Sequence, residues 1–407
     1  MKEDVMKPTA LPILLSGMCL LSGCTATIPF ISEVQSVTIC QSDIKPGHLA
    51  WPKAFLDNEG NLCVVFQQIT GDLTCESSYD FRQHPENYQI KLICMQAAPG
   101  SSEFHKLWEK ICVSASSFFI PAPTPAPDGK MLAVSLPAIL PQSAGLPPGS
   151  AIILESDDCG RNFTLRSVIT LPGTEIWPND IKYIGSRLYM ASYDGKGACH
   201  IFYSDDDGYT WSEPLEIVKS HDNMSFHEPS FCELSDGDLL VVMRTHRMDI
   251  PRHNGINYHF ARISKDDRGK LYMICEETPL TANYIFDADG KISPSPVRDS
   301  GFGFRGRPYI QKISNGTIIM VAPGSFIAIS KDDGNSWHSG LWKMGISKVT
   351  ITDRSGTKPY NWNAETMILE LPDGRIFYSW FLGSDFPFPP PCDMYIGGTF
   401  FRLNESK

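Results

Sequence analysis

The sequence predicts an all-β fold, a six-bladed β-propeller of four-stranded antiparallel blades, and three observations carry that prediction. Two near copies of one phrase, Ser204-Asp-Asp-Asp-Gly-Tyr-Thr-Trp211 and Ser330-Lys-Asp-Asp-Gly-Asn-Ser-Trp337, fit Ser-x-Asp-x-Gly-x-x-Trp. The central carboxylate can accept backbone N–H bonds inside a tight turn, Gly supplies a positive-φ corner, and Trp folds back into an apolar layer to pin a hairpin. Looser copies run from Ser156 through Asp158 and Gly160 to Phe163, and from Ser101 through Glu103 and His105 to Trp108. A second phrase recurs six times between these staples, which points to a repeat architecture. No long stretch of the 407 residues carries a 3.6-residue apolar period, and the runs between Gly and Pro clusters are strand-length.

The elements follow in chain order. Lys7 precedes an apolar run from Ala10 to Leu21 that ends in Leu21-Ser22-Gly23-Cys24. That run is too short to span a bilayer and has the proportions of a signal peptide. Leu-Ser-Gly-Cys resembles the lipobox of bacterial lipoproteins. The resemblance implies that residues 1–23 are a signal peptide, that Cys24 carries lipid, and that the mature chain is extracytoplasmic and anchored to a bacterial membrane through it. Glu3 and Asp4 are unusual in a positive leader, and a start at Met6 would remove both. Residues 24–45 then form a segment that closes the ring. A strand within 30–45 is expected to complete the blade ending at Tyr395–Leu403, because a ring must hide its last edge.

The propeller proper occupies residues 46–407, and the second phrase marks its six blades. Its copies open at Trp51-Pro52, Ile120-Pro121, Trp177-Pro178, Glu228-Pro229, Arg307-Pro308 and Glu365-Thr366. Each continues through a turn Gly (Gly60, Gly129, Gly185, Gly237, Gly316 and Gly374) to an apolar position eleven residues after the first. Asp-Gly and Asn-Gly are strong hairpin turns. The segments that follow, such as Leu239–Met243 and Ile318–Val321, are apolar enough to be sandwiched on both faces.

Composition narrows the partners. A net charge of −11 with no basic block argues against nucleic acid or an anionic membrane surface. Of twelve Cys, Cys19 would leave with the leader and Cys24 would be lipidated. Export permits disulfides, but no pairing is assigned; Cys63 and Cys232 sit in strand-like runs where a small buried thiol is expected. No Cys pair has metal-ligand spacing and no nucleotide-binding loop occurs, so no cofactor or metal is implied. Nothing specifies an oligomeric state.

In a propeller the innermost strands converge on a central funnel, so the six leading positions ring one mouth. Two carboxylates (Glu228, Glu365), a guanidinium (Arg307) and two indoles (Trp51, Trp177) aimed at one cavity suit a sugar. Indoles stack on sugar rings, Arg can fork onto a carboxylate, and paired acids serve glycosidic cleavage. Arg305 shares a face with Arg307 in Gly-Phe-Arg-Gly-Arg-Pro. Asp180 and Glu175 flank Trp177 and are read as lining the same mouth. Strict alternation turns His227 away from Glu228, which makes His227 structural.

These residues resemble those of the sialidase family over nearly the whole mature chain. The staples match its Asp-boxes, and Glu228-Pro…Asp-Gly…Met-Arg244 is similar to its fourth-blade motif. The resemblance implies that Glu228 supports the nucleophile, that Arg244 grips the substrate carboxylate, and that Asp72, in Thr70-Gly-Asp-Leu-Thr74, is the acid/base. It departs elsewhere. Ala50-Trp51-Pro52 stands where the family has Arg-Ile-Pro, Ala322-Pro-Gly-Ser-Phe326 has no third Arg, and Glu365 occupies the nucleophilic Tyr position with Tyr360 five residues earlier. The implied function is an exo-glycosidase acting on a terminal, sialic-acid-like sugar of a glycan. One version uses Tyr360 with Glu228 as its base; the other uses Glu365 or Glu228 directly. A non-catalytic glycan-binding or scaffolding propeller is the alternative, since Asp-boxes also occur in such proteins.

Overall fold

The computed structural model describes residues 31–41, 47–71, 88–111, 122–135, 145–147, 149–249, 256–279, 284–286, 292–294, 307–322, 326–341, 351–352, 359–360, 363–382 and 395–404. Residues 1–24, Asp72, Ile120, Pro121 and Arg305 lie outside the described residues. A first strand, β1 (Ile31–Gln41), precedes blade 1, which contains β2 (Gly47–Leu56), β3 (Leu62–Gly71), β4 (Tyr88–Ala97) and β5 (His105–Ile111). Blade 2 is β6 (Ala122–Pro125), β7 (Met131–Ser135), β8 (Ala151–Ser156) and β9 (Thr164–Ile169). Blade 3 is β10 (Ile176–Ile184), β11 (Arg187–Asp194), β12 (Cys199–Ser204) and β13 (Leu215–Val218). Blade 4 is β14 (Met224–Glu233), β15 (Leu239–Arg247), β16 (Ile256–Lys265) and β17 (Leu271–Pro279).

Blade 5 carries an addition. Short strands β18 (Tyr284–Phe286) and β19 (Ile292–Pro294) precede its main four, β20 (Tyr309–Lys312), β21 (Ile318–Ala322), β22 (Phe326–Ser330) and β23 (His338–Leu341). β18 pairs in parallel with β23, extending this sheet to six strands and covering the edge that β23 would expose. A two-stranded ladder, β24 (Ile351–Thr352) with β25 (Pro359–Tyr360), follows. Blade 6 is β26 (Asn363–Glu370), β27 (Ile376–Leu382) and β28 (Tyr395–Leu403), with β1 as its fourth strand. The closure expected from residues 30–45 is therefore present.

The core lies between blades. Cys232, Leu240 and Val242 of blade 4 pack with Ile310, Ile318 and Met320 of blade 5, and similar layers join blades 2 with 3, 3 with 4, and 5 with 6. Strands covered on both faces need apolar side chains on both, which is why β7 and β21 are buried throughout. Cys63 and Cys232 are buried free thiols, as their strand positions imply.

Three staples form as the sequence predicts. Ser204 Oγ donates to Asp206 Oδ1 at 2.8 Å and accepts from the Gly208 amide at 2.7 Å, while Asp206 Oδ1 accepts from the Thr210 amide at 2.8 Å. Ser330 and Asp332 repeat this at 2.9, 2.8 and 2.9 Å, and Ser156 and Asp158 at 2.8, 2.9 and 2.8 Å. The Trp337 indole donates to the Gly334 carbonyl at 3.0 Å and stacks on Phe260 of the preceding blade, 5.1 Å between centroids. The Ser101 copy is different. There the Glu103 amide bonds Ser101 Oγ at 3.0 Å, and Trp108 lies inside β5, donating to the Cys159 carbonyl of blade 2 at 3.2 Å. It ties two blades but is not the same hairpin staple.

The staple carboxyls give a pH prediction. Burial pushes Asp158, Asp206 and Asp332 up, but backbone and side-chain donors outweigh it and hold each below the ordinary Asp range. A lowered native value contributes stability that is present above the unfolded value of about 3.9 and is lost as pH falls through the native one. Asp332→Asn should therefore be less stable than the parent at pH 7, and that gap should narrow at pH 3 in urea melts. An equal gap at both pH values would contradict the assignment.

Candidate functional site

In blades 1, 4 and 6 the leading phrase proves to be a β-bulge on the innermost strand. In blade 4, His227 pairs with Arg244 and Ser230 with Val242, so Glu228 and Pro229 together face one residue of β15. Blade 1 repeats this at Trp51-Pro52, between Ala50↔Gln67 and Lys53↔Val65. Blade 6 does so at Glu365-Thr366, between Ala364↔Phe381 and Met367↔Ser379. In blade 3 the register shifts between Pro178 and Asp180. Proline lacks the amide hydrogen that a ladder needs, so it is tolerated where pairing is interrupted. Trp51 and Glu228 sit at φ of 56° and 51°, a left-handed conformation that costs a non-Gly residue on the order of 1–3 kcal/mol. The bulge re-aims these side chains.

The bulges share one end of the ring. Ile184↔Arg187 and Leu188↔Ser204 put the first turn and the staple of blade 3 together, while Trp177↔Tyr193 lies at the opposite end of the same strands. The staples thus occupy one face and the leading positions the other. Glu228 and Arg244 meet on the leading face, Arg244 Nε lying 2.6 Å from Glu228 Oε2, with side chains only 13% and 17% exposed respectively. Burial pushes the Glu228 carboxyl up, but the charges of Arg244 and Arg307 outweigh it and hold the group below the usual Glu range. Burial likewise lowers the Arg244 value, and Glu228 more than restores it. Arg307 is itself buried. One ionised carboxylate is therefore held under two guanidinium charges.

An aromatic wall runs from blade 3 to this pair. Trp177 stacks with Tyr193 at 6.2 Å and 18°, Tyr193 meets His227 edge-on at 5.3 Å, and His227 meets His246 edge-on at 5.1 Å. His246 Nε2 contacts Arg244 Nη1, and His227 Nε2 lies 2.9 Å from Ser225 Oγ. His227 is thus part of the site's surroundings, against the alternation argument, which ignores the bulge beside it. Tyr193 and His246 were not singled out from the sequence. The signal for Tyr193 is its cross-strand register with Trp177, and for His246 its place two residues after Arg244 on the same face.

Asp180 has a different environment from the one expected. Its carboxylate lies 2.7 Å from Lys182 Nζ and accepts from Ser230 Oγ at 2.6 Å. Lys182 Nζ also donates to the carbonyls of Phe231 at 2.8 Å and Ile310 at 2.9 Å. This buried network stitches the inner strands of blades 3, 4 and 5, which accounts for Asp180 as an interblade group. The backbone places Glu365 at the blade 6 bulge and Tyr360 on β25. Among the described residues no cluster of His, Cys, Asp and Glu could hold a metal ion.

No protein-family model and no curated protein matches this sequence. Solved structures do. An α-L-arabinanase from Penicillium chrysogenum, solved with arabinobiose, is 13% identical, with a TM-score of 0.57 over 89% of this chain and 97% of that one. An α-L-arabinofuranosidase from Fusarium graminearum, also with arabinobiose, is 14% identical, with a TM-score of 0.56 over 90% and 97%. The NanB sialidase from Streptococcus pneumoniae is 12% identical, with a TM-score of 0.54 over 92% of this chain and 70% of that one. What they share with this chain is the fold.

Proposed function

We propose that the protein is an exported exo-glycoside hydrolase that removes a terminal acidic, sialic-acid-like sugar from a glycan. The observation that carries this reading is the buried Glu228–Arg244 pair under the added charge of Arg307, with Glu228 at the bulge that opens blade 4. Guanidinium charge gathered beside a buried carboxylate suits recognition of a sugar acid. The similar folds are those of proteins named as sugar-cleaving enzymes, which supports glycosidic chemistry without choosing the sugar.

A carboxyl kept ionised serves as a base or nucleophile, not as the proton donor. Glu228 takes that part, either activating Tyr360 or attacking directly, and the acid falls to Asp72 or Glu365. Trp51 and Trp177 offer stacking faces, and Arg305 joins Arg307. In the two-carboxylate version, a separation of about 5–5.5 Å would give retention and about 6.5–9.5 Å inversion. Export and a lipid on Cys24 belong to the same proposal, to be checked by membrane fractionation of Cys24→Ser. The competing reading is a glycan-binding propeller without catalysis, favoured by Ala50-Trp51 where the resemblance expects Arg.

Initial rates on a panel of aryl glycosides, including an α-sialoside and an α-arabinofuranoside, test the proposal. Glu228→Gln should lower kcat by about 10²–10⁴-fold. Undiminished turnover in that variant would remove the assignment. Inactivity of the parent on every glycoside, with glycan binding intact, would establish the binder.

A further inference from the structure

Glu228 keeps its left-handed backbone, φ 51°, inside a bulge where the ladder between β14 and β15 is interrupted from His227 to Ser230. Such a conformation persists in a residue other than Gly only where the surroundings over-determine it. Blade 3 supplies that constraint on both sides of Glu228. Before it, the Phe226 amide donates at 2.9 Å to the Gly197 carbonyl, in the turn between β11 and β12. After it, Asn179 Nδ2 donates to the Pro229 carbonyl at 2.8 Å. Asn179 is the residue that the blade 3 bulge adds between Pro178 and Asp180, so one bulge reaches across to another. Asp180 continues the grip, its Oδ2 accepting from Ser230 Oγ at 2.6 Å and from the Phe231 amide at 3.4 Å.

The first anchor is main chain, but the second is a side chain that a substitution can remove. Asn179 is 5% exposed, and its Oδ1 is buried without a hydrogen-bond partner among the described residues. A bare buried acceptor is destabilising, so this amide is poorly suited to stability alone. Turning it over would set Oδ1 against the Pro229 oxygen, which fixes its orientation. What the residue supplies is the donor to Pro229. We infer that Asn179 is a positioning residue of the candidate site: its amide holds the blade 4 bulge in the shape that sets Glu228 against Arg244. Arg244, Arg307, His227, Cys199 and Tyr258 are the charged or titratable groups within electrostatic reach of Glu228. Asn179 carries no charge, so a change there acts on the carboxyl through the shape of the bulge. The catalytic side of this role rests on the part proposed for Glu228.

Side-chain carbon NMR of isotopically labelled glutamate reads the effect without any substrate, the Glu228 signal being the one lost in Glu228→Gln. In Asn179→Ala the bulge relaxes and the contact with Arg244 loosens while burial stays. The Glu228 carboxyl should then bind its proton about tenfold more tightly than in the parent. Asn179→Leu keeps the bulk and removes the bare acceptor, so it supplies the same reading should the alanine variant fail to fold. Asp332→Asn, on the staple face, controls for a general loss of stability. An unchanged titration in the Asn179 variants, or an equal change in Asp332→Asn, overturns the inference. On any panel glycoside that the parent cleaves, kcat should also fall about tenfold in these variants, with KM little changed. A shifted carboxyl with full kcat supports the positioning and removes Glu228 from the chemistry. If the parent cleaves nothing, the glycosidase reading fails, and the titration alone decides the role of Asn179.

Discussion

Deleting residues 31–41 is expected to abolish the soluble, cooperatively melting protein. β1 is the outer strand of blade 6, paired with β28 from Ile31↔Leu403 to Gln41↔Tyr395. Its removal uncovers the whole edge of β28, a template for pairing with other chains. It also withdraws Ile31 from the layer between blades 5 and 6 and Ile39 from the layer joining blades 6 and 1. Burying an Ile is worth about 1.5–3 kcal/mol, so two of them alone are comparable with much of a typical domain's stability of about 5–15 kcal/mol. Ser36 Oγ to Thr399 Oγ1 at 3.0 Å and Arg402 to Glu33 at 2.8 Å are lost as well. Size-exclusion chromatography and thermal melts should show aggregates and no sharp transition, with partial recovery when a peptide of residues 31–41 is supplied. A soluble variant with the parent's elution volume and melting temperature would show that closure does not depend on this strand.

Blade number, phase and closure were legible because they rest on residues that the backbone demands. Gly185 and Gly237 take the positive-φ corners of hairpin turns. Ser204, Asp206 and Trp211 can only pay off together in the staple they form. The prolines at Pro52 and Pro229 had a reason that the sequence alone did not disclose, since a bulge is a relation between two strands. That gap explains the misreadings. Alternation at period two turns His227 away from Glu228, but a bulge resets the alternation. Asp180 stands past a bulge too, and the network it joins through Lys182 and Ser230 reaches Ile310, so it spans three blades. β18 and β19 are three residues each and carry no periodicity to read. The structure brings Glu228 and Arg244, both singled out by resemblance, into contact, whereas Tyr193 and His246 are legible only once strand register is known.

Arg244→Met is expected to separate what that pair does for folding from what it does for chemistry. Removing one partner of a covered ion pair costs about 3–5 kcal/mol, mostly from the charge left behind. In the parent, the lowered native value of Glu228 contributes stability that is present above an unfolded value of about 4.3 and is lost as pH falls through the native one. In the variant, burial is opposed only by the weaker charges of Arg307 and His227, so the carboxyl moves up. Protonation then relieves the stranded charge, and the stability gap between parent and variant should shrink from pH 7 to pH 4.5 in urea melts. Adding Glu228→Gln removes the charge altogether and should recover much of the lost stability at pH 7. Under the proposed function it should recover none of the activity on an α-sialoside, because neither the carboxylate proposed as base nor the guanidinium proposed to bind the sugar acid remains. A single variant as stable as the parent would mean that the pair is held apart by solvent. A double variant that regains turnover would mean that catalysis lies elsewhere in the funnel.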